Sequence, residues 1–231
     1  MNYPLYIFLG LAPSVIWLLF YLRKDRHPEP KSMILKIFFW GMLSALPAIF
    51  IEKGIALELA KISLSPSLML ILSNLLGAAL VEEILKYLVV RGEVMRTKEF
   101  DESIDAMLYM IVAALGFAAS ENVLILLEIA PSFVLRQTLL VMGLRFLGAV
   151  FLHALCSAVV GFWIAVSFSR YREEKFRFVG LGLFIAICLH GFFNFFIIKG
   201  GTLGFLVPVF IIVSLALIVS LGIKDLKENY F

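Results

Sequence analysis

The stretch VEEILKYLVV, residues 81–90, sets Glu82, Glu83 and Lys86 at the end of a long apolar run. Three further segments carry polar groups at comparable depth: Glu121 and Asn122 in GFAASEN, Arg145 and His153 in RFLGAVFLHALCSA, and His190 and Asn194 in HGFFN. A charged residue at the centre of a membrane helix costs roughly 2.5–3.5 kcal/mol, so such residues are rare, face inward and mark functional sites by default. Their recurrence on four consecutive apolar segments points to one shared polar cavity.

The spacings constrain what that cavity can do. His190 and Asn194 are four apart, so both project from one helical face. Lys86 is four residues from Glu82 and three from Glu83, within reach of either. Adjacent glutamates diverge by about 100° on a helix, so one can face a reaction centre while the other holds a support such as Lys86 or Arg145. Among Glu82, Glu83 and Glu121 against Lys86 and Arg145, one carboxylate is left without a fixed cation, and such a glutamate suits a general base. Water activated by glutamate, with histidine and asparagine stabilising charge, is a hydrolase arrangement.

Simpler roles compete residue by residue. Lys86 and Arg145 are more readily counter-ions than catalysts, because a buried charge needs its partner. Glu121 and Asn122 serve equally well as hydrogen-bonding ties between helices. The aromatics of GFFNFF read as packing and cavity wall. Cys156 and Cys188 fall in apolar runs and read as small hydrophobes rather than a disulfide framework. Neither G-x-S-x-G nor H-E-x-x-H occurs.

These residues need helices to position them. Of 231 residues, 62% are hydrophobic and the mean hydropathy is +1.01, well above a soluble domain. Seven apolar segments can be marked, at 4–22, 33–51, 68–90, 104–129, 138–168, 178–198 and 203–222. The expected fold is all-α: a polytopic bundle of about seven transmembrane helices forming one domain over 1–231. The fifth segment is too long for one crossing, so its first part, up to Arg145, extends beyond the membrane or tilts. Pro47 predicts a kink in the second helix. The first apolar run lacks the basic flank of a cleaved signal and reads as a retained helix.

Alternate loops carry thirteen basic residues on one side and four, Lys53, Lys61, Arg136 and Lys199, on the other. By the positive-inside rule the N-terminus lies outside and the C-terminus is cytoplasmic. A net charge of +3 without a dense basic cluster excludes a nucleic-acid partner.

The run EEILK, then GFAASEN, then the stretch from Arg145 to His153, then HGFFN, together with the loop KDRHPEP, resembles the PrsW family, bacterial membrane proteases that cleave anti-sigma factors. The likeness spans about residues 23–194. That family in turn is similar to the larger CAAX-protease and bacteriocin-processing superfamily, with its pattern E-E-x-x-x-R, F-x-x-x-H and H-x-x-x-N. Glu82 and Glu83 match the first motif, His153 the second, and His190 with Asn194 the third. The basic residue, Lys86, comes one position early, and Ala149 stands where the pattern has Phe. Both departures favour the PrsW branch over prenyl-protein processing.

The resemblance implies an intramembrane endopeptidase of the cell membrane, acting on a single-pass membrane protein. Glu82 or Glu83 would activate water, His153 and His190 would position it or bind a metal, and Asn194 would donate to the oxyanion. A metal-free glutamate mechanism is favoured, with zinc on His153 and His190 as the other form. Two readings compete: a proton- or ion-coupled transporter, which an inverted repeat would favour, and a non-catalytic membrane partner.

Overall fold

Among the described residues, seven helical stretches are long and apolar enough to cross a membrane, as the hydropathy pattern predicts. The computed structural model describes residues 3–24, 27–129, 134–168 and 172–229. Arg26 and Arg170, two of the loop cations counted above, lie outside the described residues. The elements are α1 (Tyr3–Leu22), α2 (Lys31–Leu59), α3 (Pro66–Leu72), α4 (Leu80–Glu93), α5 (Ser103–Ile129), α6 (Leu135–Leu147), α7 (Ala149–Ser167), α8 (Arg172–Lys199) and α9 (Gly201–Asn229).

The core is built on α5 and α7. Along α5, Ala106, Met110, Ala113 and Ala114 are fully enclosed, and α7 contributes Leu155, Cys156 and Ala158. Lipid is as apolar as leucine, so helices in a bilayer adhere by close packing, and small residues allow it. A Cβ on Gly41 of α2 would stand 2.2 Å from the Ala113 carbonyl oxygen of α5. One on Gly116 would stand 2.1 Å from that of Phe38, and one on Gly161 of α7 2.5 Å from Met107 Cα. These glycines set the distances of α2 and α7 from α5. Large apolar side chains such as Phe50, Phe205 and Phe210 point outward, as a lipid-facing surface requires.

Three local features differ from the expectation. The fifth apolar segment is two helices. α6 ends and α7 begins at Gly148, whose backbone (φ −102°, ψ −93°) departs from helical values. The ladder bonds Gly148 N–H to Leu144 O and Leu152 N–H to Gly148 O persist, so the chain bends without losing its hydrogen bonds. The third span opens with α3, capped by the Ser65 hydroxyl and started by Pro66, then passes through a π-helical turn at Ser73–Ala79 into α4. Such turns shift the register of all that follows, here the register of Glu82 and Glu83.

The third difference is length. α2 runs unbroken through Pro47 to Leu59, so Glu52 and Lys53 lie inside the helix rather than in the following loop. α8 and α9 are joined by Gly200 and Gly201, both at φ 70°, where a side chain would be strained.

Candidate active site

Four helices bring the polar residues together. α4 supplies Glu82, Glu83 and Lys86; α5 supplies Glu121 and Asn122; α7 supplies His153; α8 supplies His190. Glu83 and Lys86 are 0% exposed, and the two histidines 1–2%. Such burial demands that each charge be matched, and the contacts show how.

Lys86 Nζ donates to Glu83 Oε1 at 2.9 Å, to Glu82 Oε2 at 3.2 Å and to His153 Nδ1 at 2.8 Å. An ammonium has three protons and no acceptor, so this set saturates it. The Lys86 ammonium also lies 4.6 Å from the centre of the Phe117 ring. Because Lys86 can only donate, His153 Nδ1 must accept, and its proton is on Nε2. That proton is given to Glu121 Oε2, 2.9 Å away.

The second imidazole is fixed in the opposite sense. His190 Nδ1 lies 2.9 Å from Glu83 Oε1, a carboxylate that only accepts, so Nδ1 carries the proton. Its other nitrogen, Nε2, faces Glu82 Oε2 at 3.8 Å. His153 Nδ1 is 3.5 Å from the same oxygen. The two rings meet edge to face, with centroids 4.9 Å apart. Each imidazole is therefore held on its outer nitrogen by a carboxylate and turns its other nitrogen toward Glu82.

Glu82, His153 and His190 each offer one ligand atom, all within 4.8 Å of one another. Ligands on a tetrahedral ion at 2.0–2.1 Å lie about 3.3–3.4 Å apart, and the two separations from Glu82 Oε2, 3.5 and 3.8 Å, are close to that. Carboxylates bound to the far nitrogens are the usual support of metal-ligating histidines. The donor set fits a divalent ion. Lys86 shares two of the same donor atoms, so an ion there requires Lys86 to fall back on Glu83.

The other residues singled out above fall into place differently. Arg145 does not support the Glu82–Glu83 pair. Its Nη2 lies 2.9 Å from Glu121 Oε2, and its Nε donates to Asn122 Oδ1 at 2.5 Å. Asn122 Nδ2 in turn donates to Gly10 O of α1 at 3.2 Å. Glu121 and Asn122 thus do both things weighed for them: they tie α1, α5 and α6, and Glu121 also orients His153. Asn194 is half-buried on the same face of α8 as His190 and makes no hydrogen bond among the described residues. Ser120 Oγ donates to Met42 O of α2, a tie between helices.

Two participants lay outside the sequence reading. Ser157 Oγ donates to Glu83 Oε2 at 3.0 Å and completes that carboxylate's partners. Its spacing four residues after His153 was the available signal. Glu52 of α2 is half-buried and within electrostatic reach of Glu82, Glu121, Lys86 and His190. It went unnoticed because the apolar segment appeared to end one residue earlier.

Comparisons with known proteins identify the family of the chain. Residues 29–220 match a family model described as PrsW family intramembrane metalloprotease. A protein named Protease PrsW from Geobacillus kaustophilus is 31% identical over 88% of this chain and 84% of its own length. Its namesakes from Oceanobacillus iheyensis and Bacillus subtilis are 29% and 28% identical, over 95% and 80% of this chain and 95% and 79% of their own lengths. No solved structure matches the chain significantly.

Proposed function

The chain belongs to the PrsW family of intramembrane metalloproteases, and from that premise we propose that it hydrolyses a peptide bond in a single-pass membrane regulator, an anti-sigma-like protein, at a water held by Glu82, His153 and His190. It is a multi-pass protease of the cell membrane. The observation that carries the reading is the meeting of three donor atoms from α4, α7 and α8 within 4.8 Å, inside a span of the bundle.

In this reading Glu82 is the carboxylate that takes the proton of the attacking water, because one of its oxygens faces both imidazoles. Glu83 is a support: both its oxygens already accept hydrogen bonds, from Lys86, His190 and Ser157. The unprotonated Nε2 of His190 accepts a hydrogen bond from that water, and His153, whose Nδ1 accepts from Lys86, lines its other side. Asn194, one turn beyond His190 and without another partner among the described residues, donates to the oxyanion that forms on the scissile carbonyl. A divalent ion of the zinc class would be held by Glu82 Oε2, His153 Nδ1 and His190 Nε2. When bound, it supplies Lewis-acid polarisation of water and carbonyl. Lys86 balances the two glutamates when they are otherwise uncompensated. The basic loops support an orientation with the C-terminus in the cytoplasm.

The test is cleavage of a single-pass reporter by the full chain in vesicles. Glu82→Gln, His153→Ala and His190→Ala are each expected to insert and melt like the parent and to leave the reporter uncut. Full cleavage by all three would end the assignment of the site.

A further inference from the structure

Glu52 is the one carboxylate bordering the cluster that makes no hydrogen bond or ion pair among the described residues. Glu82 and Glu83 share Lys86, and Glu121 is held by Arg145 and His153. Glu52 stands on the inward stripe of α2. Ala45 and Ala48 of that stripe are buried against Val81 of α4 and Phe117 of α5, with Ile55 packed alongside. Glu52 comes four residues after Ala48 and three before Ile55, which puts it on the same face. Phe117 is the ring that faces Lys86, and its centroid is 5.9 Å from that of His153. The stripe therefore runs along the edge of the catalytic cluster. Glu52 is half-buried there, within electrostatic reach of Glu82, Glu121, Lys86 and His190.

A half-buried carboxylate in a membrane span is costly, and neither helix packing nor a cation accounts for this one. Peptide hydrolysis needs two proton transfers, one from the water and one to the leaving nitrogen. The three partnered glutamates cannot readily provide the second. Glu83 already accepts three hydrogen bonds, from Lys86, His190 and Ser157. Glu121 is tied on its outer side, and Glu82 faces the imidazoles.

We propose that Glu52 is the catalytic acid that hands a proton to the leaving amine. This rests on the assignment of Glu82, His153 and His190 as the water-holding group. The water's oxygen bonds to the carbonyl carbon, and its proton goes to Glu82. That proton passes through water in the cleft to Glu52, which gives it to the amide nitrogen as the C–N bond breaks. The hydroxyl ends on the acyl product and the proton on the amine, and both carboxylates return to their starting state.

The leaving group provides the test. A single-pass reporter is made twice, once with the ordinary amide at the cleaved position and once with a thioester there. A thiolate leaves without a proton. Glu52→Gln is expected to slow single-turnover cleavage of the amide roughly 100-fold or more, in line with general acid catalysis, and to change the thioester rate less than about threefold. Its melting temperature and its affinity for the reporter should match the parent. Where Glu52→Gln fails to insert, Glu52→Asp carries the comparison, with the amide slowed at least about tenfold and the thioester unchanged. Amide cleavage at the parent rate would overturn the proposal, and so would equal slowing of both reporters. Glu82→Gln separates the two readings. If it is inactive while Glu52→Gln is fully active, only the role of Glu52 falls; if it too is active, the site assignment falls with it.

Discussion

His190 gives its Nδ1 proton to Glu83 across 2.9 Å, and that bond aims Nε2 at Glu82. Glu83 of the adjacent pair thereby orients an imidazole, while Glu82 faces both rings. Glu83→Gln keeps an acceptor for His190 but removes the charge that balances Lys86. Cleavage is expected to fall about 10–100-fold, as for other supports of catalytic histidines. Glu83→Ala takes one of two carboxylates from Lys86 and leaves His190 Nδ1 and Ser157 Oγ without their acceptor, and is expected to lower stability by about 3–5 kcal/mol. Reporter cleavage and thermal unfolding in detergent measure the two effects.

Metal content follows from the donor geometry. The purified parent is expected to carry about one zinc-class ion per chain, as three protein ligands plus water would hold. A His153→Ala, His190→Ala double variant should carry almost none. Elemental analysis of both proteins, with a chelator titration of reporter cleavage, checks this.

Arg145 bridges α6 to His153 through Glu121. Arg145→Met leaves Glu121 with His153 alone and removes a donor from Asn122. Both side chains of the ion pair are partly exposed, so the loss of stability should be about 1–3 kcal/mol, below that of a fully enclosed pair. Cleavage should fall further than stability alone explains, because His153 loses a firm hold. Rates compared at a temperature where both proteins are folded would show it.

Gly161 carries no chemistry, yet it governs where His153 stands. A Cβ there meets Met107 Cα at 2.5 Å and the Ala106 carbonyl oxygen at 2.5 Å, both backbone atoms that cannot swing aside. Gly161→Ala is expected to push α7 from α5, with a loss of about 1–3 kcal/mol and a drop in activity. Gly143→Ala, where nothing lies within 4 Å, is the matched control and should leave both unchanged.

Asn194 is predicted to behave in the reverse way. It makes no hydrogen bond among the described residues, so Asn194→Ala should not move the melting temperature. If it serves the oxyanion, turnover falls by about 10²–10³ with substrate affinity retained.

Much of this was legible in one dimension. Apolar runs long enough for a bilayer are a local property, and the hydropathy pattern located all seven spans. Charged residues inside such runs are conspicuous by their cost, and the i, i+3 and i, i+4 spacings already joined Lys86 to both glutamates. The quoted motifs were enough to suggest the family. The break at Gly148 was less visible, because RFLGAVFL reads as one apolar stretch and a glycine alone does not announce a bend. Glu52 escaped because a charge at the end of a run looks like the end of the helix.

The sequence by itself determined that this protein is a membrane-embedded helical bundle with acids, bases and imidazoles at depth. Only the tertiary structure decided which group answers which: Arg145 to Glu121 rather than to the glutamate pair, Ser157 and His190 to Glu83, and Glu52 to none among the described residues. The reason is physical. Hydrophobicity and helical period act over a few residues, whereas a 2.9 Å contact between α4 and α8 depends on the rotation and depth of two helices more than a hundred residues apart in the chain. Those are set by glycine-to-backbone packing and a π-helical turn, and neither can be read from the polar residues they position.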